Sequence, residues 1–252
     1  MKYSPGAATT SPDANATGLL AAAPDPLRYD GQSDDPDEVA GIIASYLSSG
    51  SRILDVGCGT GSVSKIVADL TKARIVGVEP DAERAALARE RGLEVINESF
   101  SDDVIAKIGK FDVVVFADVL EHTPNPASLL QLARKALIPG GAVIVSVPNV
   151  AHWTVRLDLL RGRFDYREHG IMDATHLRFF TESSLRRLLE AEGFGVMQMR
   201  QSAGFTLEAY GMRWPWRSMP NWRRTAVVRR LTHRLPLLFG CQHVAMAVMQ
   251  PN

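Results

Sequence analysis

Residues 52–61 constrain the fold more than any other stretch. Arg52-Ile53-Leu54-Asp55-Val56 is a short apolar strand, and Gly57-Cys58-Gly59-Thr60-Gly61 follows it directly. Glycines at alternate positions let a backbone turn sharply and approach a ligand closely. Val63, Ile66, Val67 and Leu70 then fall at i, i+3, i+4 and i+7, one face of a helix. A strand, a glycine turn and a helix make the opening unit of a parallel α/β sheet.

The rest of the chain repeats the alternation. Strands are predicted over 74–78, 93–96, 111–116 and 142–147, with helices over 37–47, 81–91 and from Pro126 to Leu137. Phe111 to Phe116 is almost wholly apolar, as expected of a strand covered on both faces. Asn125 is read as the cap of the helix that starts at Pro126, and Thr181 as the cap of one carrying Leu185, Leu188 and Leu189. Strands near 194–199 and 242–249 close the sequence. The expected architecture is α/β: a mostly parallel, Rossmann-like sheet with helices on both faces. Residues 1–34 are rich in Ala, Pro, Ser, Thr and Asp and read as a mobile arm, with one domain over 35–252.

Composition excludes several classes. Apolar residues are 46% and charged residues 22% of the 252, which rules out global disorder. No apolar run approaches the ~18 residues of a membrane span. Lys+Arg and Asp+Glu are both 28, so net charge gives no reason to expect DNA binding. Cys58 and Cys241 are too few for a disulfide framework, and no signal peptide is read at the start, so a cytoplasmic location is expected.

The glycine loop differs from two better-known phosphate-binding loops. A dinucleotide fingerprint needs Gly or Ala where Ser62 stands, and no Gly-Lys-Ser/Thr follows for a P-loop. The second strand ends at Glu79, whose carboxylate suits the two hydroxyls of a ribose. The ligand expected is a nucleoside without a pyrophosphate site.

At this point the sequence resembles the class I S-adenosylmethionine-dependent methyltransferases. The resemblance rests on Ile53 to Gly61, Val76-Gly-Val-Glu-Pro-Asp81, Phe111 to His122, and Leu137-Ile-Pro-Gly-Gly141, in that order, and covers about residues 37–203. It implies a seven-stranded sheet with the last strand antiparallel, and S-adenosylmethionine as cofactor, with S-adenosylhomocysteine as product. It further implies that Gly57, Cys58, Gly59 and Gly61 line the methionine part and that Asp55 receives the ammonium. Glu79 would bind the ribose, with Pro80 and Asp81 beside the adenine. Ser99 and Phe100 stand at the usual adenine contact, where the common Asp is lacking. Ala117 and Asp118 would sit near the methyl-donating sulfur.

The acceptor side is expected in an insert over 148–180. Its run Asp173-Ala-Thr-His-Leu-Arg-Phe-Phe-Thr181 resembles a branch related to quinone-precursor and glycan or glycoside methyltransferases. That resemblance suggests O-methylation of a small hydroxylated acceptor, with a sugar, glycoside or oligosaccharide leading, and a quinone, phenol, lipid-linked acceptor or RNA as alternatives. His122, His152 and His176 are the candidate bases, since an alcohol must lose its proton. Trp153, Tyr166, His169, Asp173 and Arg178 are the candidate acceptor contacts. Phe179 and Phe180 read as core. Catalysis without a metal is preferred to Mg²⁺ held by Asp118, Asp165, Glu168 and Asp173, because no tight ligand motif is present.

A long connection over 204–240 joins the last two strands. From residue 209 onward there are seven arginines and no acidic residue, together with Trp214, Trp216 and Trp222. The segment 213–238 reads as a lid or dimer contact, with a peripheral membrane contact as the alternative. A non-catalytic cofactor-binding or interaction protein is the competing class.

Overall fold

The computed structural model describes residues 30–212 and 214–251. The arm expected over 1–34 lies outside the described residues as far as residue 29. Its last residues are tied down: Asp30 accepts hydrogen bonds from Thr60 Oγ1 at 2.5 Å and Arg91 at 2.7 Å.

The elements in chain order are α1 (Val39–Tyr46), β1 (Arg52–Val56), α2 (Ser62–Thr71), β2 (Arg74–Val78), α3 (Ala82–Glu90), β3 (Glu94–Ile96) and α4 (Asp102–Ile108). Then come β4 (Phe111–Ala117), α5 (Pro126–Ala136), β5 (Leu137–Pro148), α6 (Trp153–Leu160), α7 (Glu182–Ala191) and β6 (Phe194–Ser202). The chain closes with α8 (Glu208–Met212), α9 (Asn221–Arg234), α10 (Pro236–Phe239) and β7 (Gln242–Met249). The sheet order is β3-β2-β1-β4-β5-β7-β6. β7 runs antiparallel to both β5 and β6, and the other pairings are parallel. The order reverses between β1 and β4, so a crevice opens at their carboxyl ends, where such sheets bind ligands.

Both faces of the sheet are covered, and alternate strand residues divide between two cores. Leu54, Val114, Phe116 and Val143 pack with Leu130, Leu185 and Leu189 on one side. Ile53, Val113, Val115 and Ile144 pack with Ile42 and Ile43 of α1 on the other. Each fully buried aliphatic side chain contributes about 1.5–3 kcal/mol. These layers therefore set the strand ends rigidly around the crevice.

Local signals explain most helix starts. Thr181 accepts from Ser184 N at 3.3 Å while Ser184 Oγ takes the Thr181 N–H at 2.9 Å, a reciprocal cap on α7. Asn125 does not cap α5 with its side chain. Pro126 begins that helix instead, its fixed φ already helical. The sequence reading passes over several helices, among them α4, capped by Ser101, and α6, inside the insert.

Candidate functional site

Two adjoining cavities open at the β1–β4 crevice. The smaller, of about 370 Å³, is walled by the glycine loop, Glu79, Asp118 and His122. The larger, of about 780 Å³, is bounded by Glu38, Asp158, Arg167, His169 and Phe205, among others. Asp118 and Gln32 line both.

The loop after β1 uses its glycines differently. Gly57, Gly59 and Gly61 all have positive φ, which side chains disfavour. A Cβ on Gly57 would lie 2.8 Å from Val119 Cγ2, and one on Gly61 would lie 2.4 Å from Leu93 Cδ1. A Cβ on Gly59 would meet nothing within 4 Å. Gly59 thus leaves room for a ligand, whereas Gly61 lets α2 start close to α3. Gly61 is not on the cavity wall.

Two carboxylates frame the loop. Glu79 Oε2 accepts from Gly59 N and Oε1 from Asp81 N, each at 2.9 Å. Each oxygen keeps a second lone pair, suited to a vicinal diol. Asp55 is 2% exposed. Its Oδ2 accepts from the Ser64 hydroxyl, and its Oδ1 has no partner among the described residues. Burial, with the Glu79 charge adding to it, pushes the Asp55 carboxyl up to about 6. An unpartnered buried carboxylate oxygen is expensive and suits an ammonium group. Open space at Gly59, diol acceptors at Glu79 and an anion at Asp55 fit a nucleoside bearing an amino acid.

At the end of β4, Asp118 has φ 56°, a left-handed backbone that is strained for a side chain. Its N–H donates to the Ser146 carbonyl at 3.2 Å, and its Oδ1 accepts from Ser146 Oγ at 3.0 Å and Gln242 Nε2 at 2.9 Å. β5 and β7 thereby hold it at the junction of the cavities. Burial raises its pKa against those hydrogen bonds.

Several residues expected on the cofactor wall do not line it. Asp81 caps α3 by accepting from Arg84 N at 2.9 Å. Phe100 packs against the main core, and Ser99 likewise stays off the wall. Cys58, Pro80 and Ala117 do line it, joined by Thr60, Val63, Arg84 and Thr175, which the sequence reading passed over. Arg84 follows Pro80-Asp81 by one turn of α3, a spacing that could have flagged it.

The three histidines separate. His152 is fully buried and caps α6, its ring between Thr154 Oγ1 at 2.8 Å and Tyr210 Oη at 3.3 Å. It lines neither cavity, and burial pushes its pKa down to about 3. It is a core histidine rather than a base. His122 lines the smaller cavity. His176 is 5% exposed and lies edge-on to His122, with ring centroids 4.8 Å apart. Glu121 joins them: one ligand atom of each of the three lies within 4.8 Å of the others. Burial, reinforced by the Asp118 charge, holds the Glu121 carboxyl well above its ordinary range. Among the described residues, Asp118, Asp165, Glu168 and Asp173, the Mg²⁺ ligands weighed as the less favoured alternative, do not gather as a ligand group.

Of the five expected acceptor contacts, His169 lines the larger cavity. Trp153 packs into a cluster with Tyr210, Trp216 and Phe239. Tyr166 lies edge-on to Phe164 and tilted against Phe179. Asp173 is buried and accepts from Thr175 N and Oγ1. Arg178 is exposed and donates to the Pro124 carbonyl at 2.5 Å. These four brace the insert instead of walling the cavity.

The basic connection divides too. Trp216 is buried, whereas Trp214 and Trp222 are 78% and 68% exposed. Arg229 pairs with Asp35 at 2.5 Å and Asp37 at 2.8 Å, so α9 grips the segment that lines both cavities. No helix among the described residues is long and apolar enough to cross a membrane.

A family described as a methyltransferase domain matches residues 32–199. A ubiquinone biosynthesis O-methyltransferase of Aeromonas salmonicida is 30% identical over 156 residues, 60% of this chain and 65% of the relative. One from Nitrosococcus oceani is 38% identical over 109 residues, 40% of this chain and 45% of the relative. Less than two thirds of either relative's length is thus matched. Among solved structures, a SAM-dependent methyltransferase of Archaeoglobus fulgidus superposes with TM-score 0.55 at 15% identity, covering 85% of this chain and 96% of the other. Magnesium protoporphyrin IX methyltransferase of Synechocystis PCC 6803, solved with bound SAM, gives 0.54 at 14% identity, covering 98% and 100%. At such identities the likeness concerns the fold.

Proposed function

The chain belongs to the methyltransferase-domain family, and on that premise we propose that it is a SAM-dependent O-methyltransferase of a small phenolic acceptor. Bound in the smaller cavity, S-adenosylmethionine supplies a methyl group already activated on a sulfonium sulfur. In this reading Asp55 Oδ1 takes the ammonium of the amino-acid end. Glu79 accepts from the ribose hydroxyls with the lone pairs left by Gly59 and Asp81. Gly59 admits the ligand against bare backbone. The protein's work is to hold the two reactants in line and to keep water out.

The acceptor would occupy the larger cavity. Its mixed wall, with Val39, Ile171 and Phe205 beside Arg167 and His169, suits an aromatic ring carrying polar substituents. A phenol of the quinone-precursor kind is preferred because the relatives at 30% and 38% identity are named for ubiquinone biosynthesis. The sugar or glycoside acceptor expected from the sequence gains no support from those relatives. Of the three candidate histidines, this reading keeps His122, which stands on the wall of the smaller cavity.

The observation that carries the proposal is Asp118 lining both cavities, with the orphaned Asp55 oxygen in one of them. The test incubates the protein with labelled S-adenosylmethionine and a panel of catechols, hydroxybenzoates and sugars. Labelled phenol ethers are expected. Labelled sugars with no labelled phenol would overturn the acceptor class, and no product from any hydroxyl would overturn the O-methyltransferase reading.

A further inference from the structure

Glu38 stands at the N-cap of α1 but does not cap it: its side chain makes no capping hydrogen bond. Ser, Thr, Asp or Asn is the usual choice there, so the start of the helix does not explain this residue. Its carboxylate turns instead to the loop after β6. Oε1 accepts from Phe205 N at 2.7 Å, and the Gly204 N–H adds a second bond. A carboxylate offers about four lone-pair sites, so these donors leave room for another. Glu38 lines the larger cavity and not the smaller.

The other carboxylates and the imidazole on that wall, among the described residues, belong to Asp118, Asp158, Glu168, His169 and Glu208. Glu168, His169 and Glu208 are exposed. Asp158 pairs with Arg167 at 3.1 Å. Asp118 faces the cofactor cavity as well, and its Oδ1 is already held by Ser146 and Gln242. Glu38 is partly buried and faces the acceptor side alone. Cys241 shows how near it lies to the junction. Burial raises the Cys241 thiol, and the charges of Glu38 and Asp118 both add to it. Burial also raises the Glu38 carboxyl against its two N–H donors, and the charges of Asp35 and Asp37 raise it further. A carboxylate of raised proton affinity suits proton transfer near neutral pH better than an ordinary one.

We propose that Glu38 is the catalytic base of the acceptor cavity. The role rests on the O-methyltransferase reading above. The acceptor's O–H bond breaks, and its proton passes to a Glu38 oxygen while the bonding pair stays on the acceptor oxygen. That oxygen forms the new bond to the methyl carbon as the carbon–sulfur pair returns to sulfur, leaving a neutral thioether. Glu38 ends protonated and gives the proton to water, which its partial exposure allows.

The test compares catechol with 4-nitrocatechol in wild type, Glu38→Gln and Glu38→Asp. The nitro group leaves one hydroxyl ionised at assay pH, and ether formed at that hydroxyl needs no base. Gln can still accept from Phe205 N, so the tie to the loop survives. With catechol, kcat is expected to fall at least about 100-fold in Glu38→Gln and by less in Glu38→Asp, which keeps a shorter carboxylate. With 4-nitrocatechol, kcat should fall less than about threefold in either variant. S-adenosylmethionine affinity, read by calorimetry, should match wild type in both. A loss equal for the two acceptors marks a structural brace and overturns the base, as does no loss with catechol. Should Glu38→Gln fail to fold, the same comparison in Glu38→Asp decides. A loss confined to catechol that appears in Asp118→Asn and not in Glu38→Gln also overturns the proposal. No ether from wild type with either catechol is a separate outcome, and it sinks the O-methyltransferase reading itself.

Discussion

Gln242, the first residue of β7, donates to Asp118 Oδ1 at 2.9 Å and so fastens the last strand of the sheet to the end of the fourth. Asp118 sits in a left-handed backbone between the two cavities. Its conformation persists because Ser146 and Gln242 both hold its carboxylate. The antiparallel arrival of β7 is therefore what sets the junction between the two cavities.

Removing that tie should loosen the junction more than the fold. Gln242→Leu is expected to lower stability by about 1.5–3 kcal/mol, the range for one hydrogen bond to a charged group. It should also reduce methyl transfer more than S-adenosylmethionine binding. Denaturant unfolding and paired kinetic and calorimetric assays on the variant check both. Unchanged turnover would show that Asp118 needs no support from β7.

The glycines of the loop should separate by role. Gly61→Ala drives a Cβ toward Leu93 and strains φ, so its main effect should be a fall of about 1–3 kcal/mol in stability. Gly59→Ala bears the φ strain but meets no neighbour, so it should keep more stability while weakening cofactor binding at least about tenfold. Thermal melts alongside calorimetry distinguish the two. Equal effects on both properties would contradict the assignment.

Cofactor affinity should depend on pH through Asp55. Its carboxyl is raised to about 6 by burial, so it is neutral below that pH in the free protein. An ammonium ligand needs the carboxylate, and binding must then expel a proton. Affinity is expected to be flat above about pH 7 and to weaken towards tenfold per unit below 6. Calorimetry at pH 5, 6 and 7.5 with wild type and Asp55→Asn measures this. A wild-type curve as flat as that of the variant would contradict it.

Stability should fall on mild acidification because of buried neutral histidines. Burial pushes His152 down to about 3 and His243 down to about 4, against about 6.5 when unfolded. Between those values the unfolded chain binds protons that the folded chain refuses. Stability therefore falls as pH drops below about 6.5, by up to about 2 kcal/mol per histidine by pH 5. Both ring nitrogens of His243 lack partners among the described residues, so His243→Leu should raise Tm and flatten the acid loss. Melts at pH 7.5 and 5 test this, and an unchanged pH slope would contradict it.

The strands and the glycine loop were legible because period, burial on both faces and glycine spacing are local properties of the chain. Glu79 and Asp55 were legible for the same reason, standing at or just past the carboxyl ends of strands. His152 misled because its place after the fifth strand says nothing about whether its ring turns outward. It turns inward, toward Tyr210 of a distant helix. α6 was hidden because its apolar residues do not share one buried face: Leu159 and Leu160 are 50% and 84% exposed. Glu121 is adjacent to His122 in sequence, but its complete burial depends on the loop that brings His176 to it.

What occupies the glycine-loop cavity decides the function. Calorimetric titration of wild type and Glu79→Gln with S-adenosylmethionine, with NAD as the comparison, tests it most directly. One site of micromolar affinity for S-adenosylmethionine is expected in wild type, weakened at least about tenfold in the variant, with no heat from NAD. No binding of S-adenosylmethionine by the wild-type protein, or tighter binding of NAD, would contradict the assignment of this cavity.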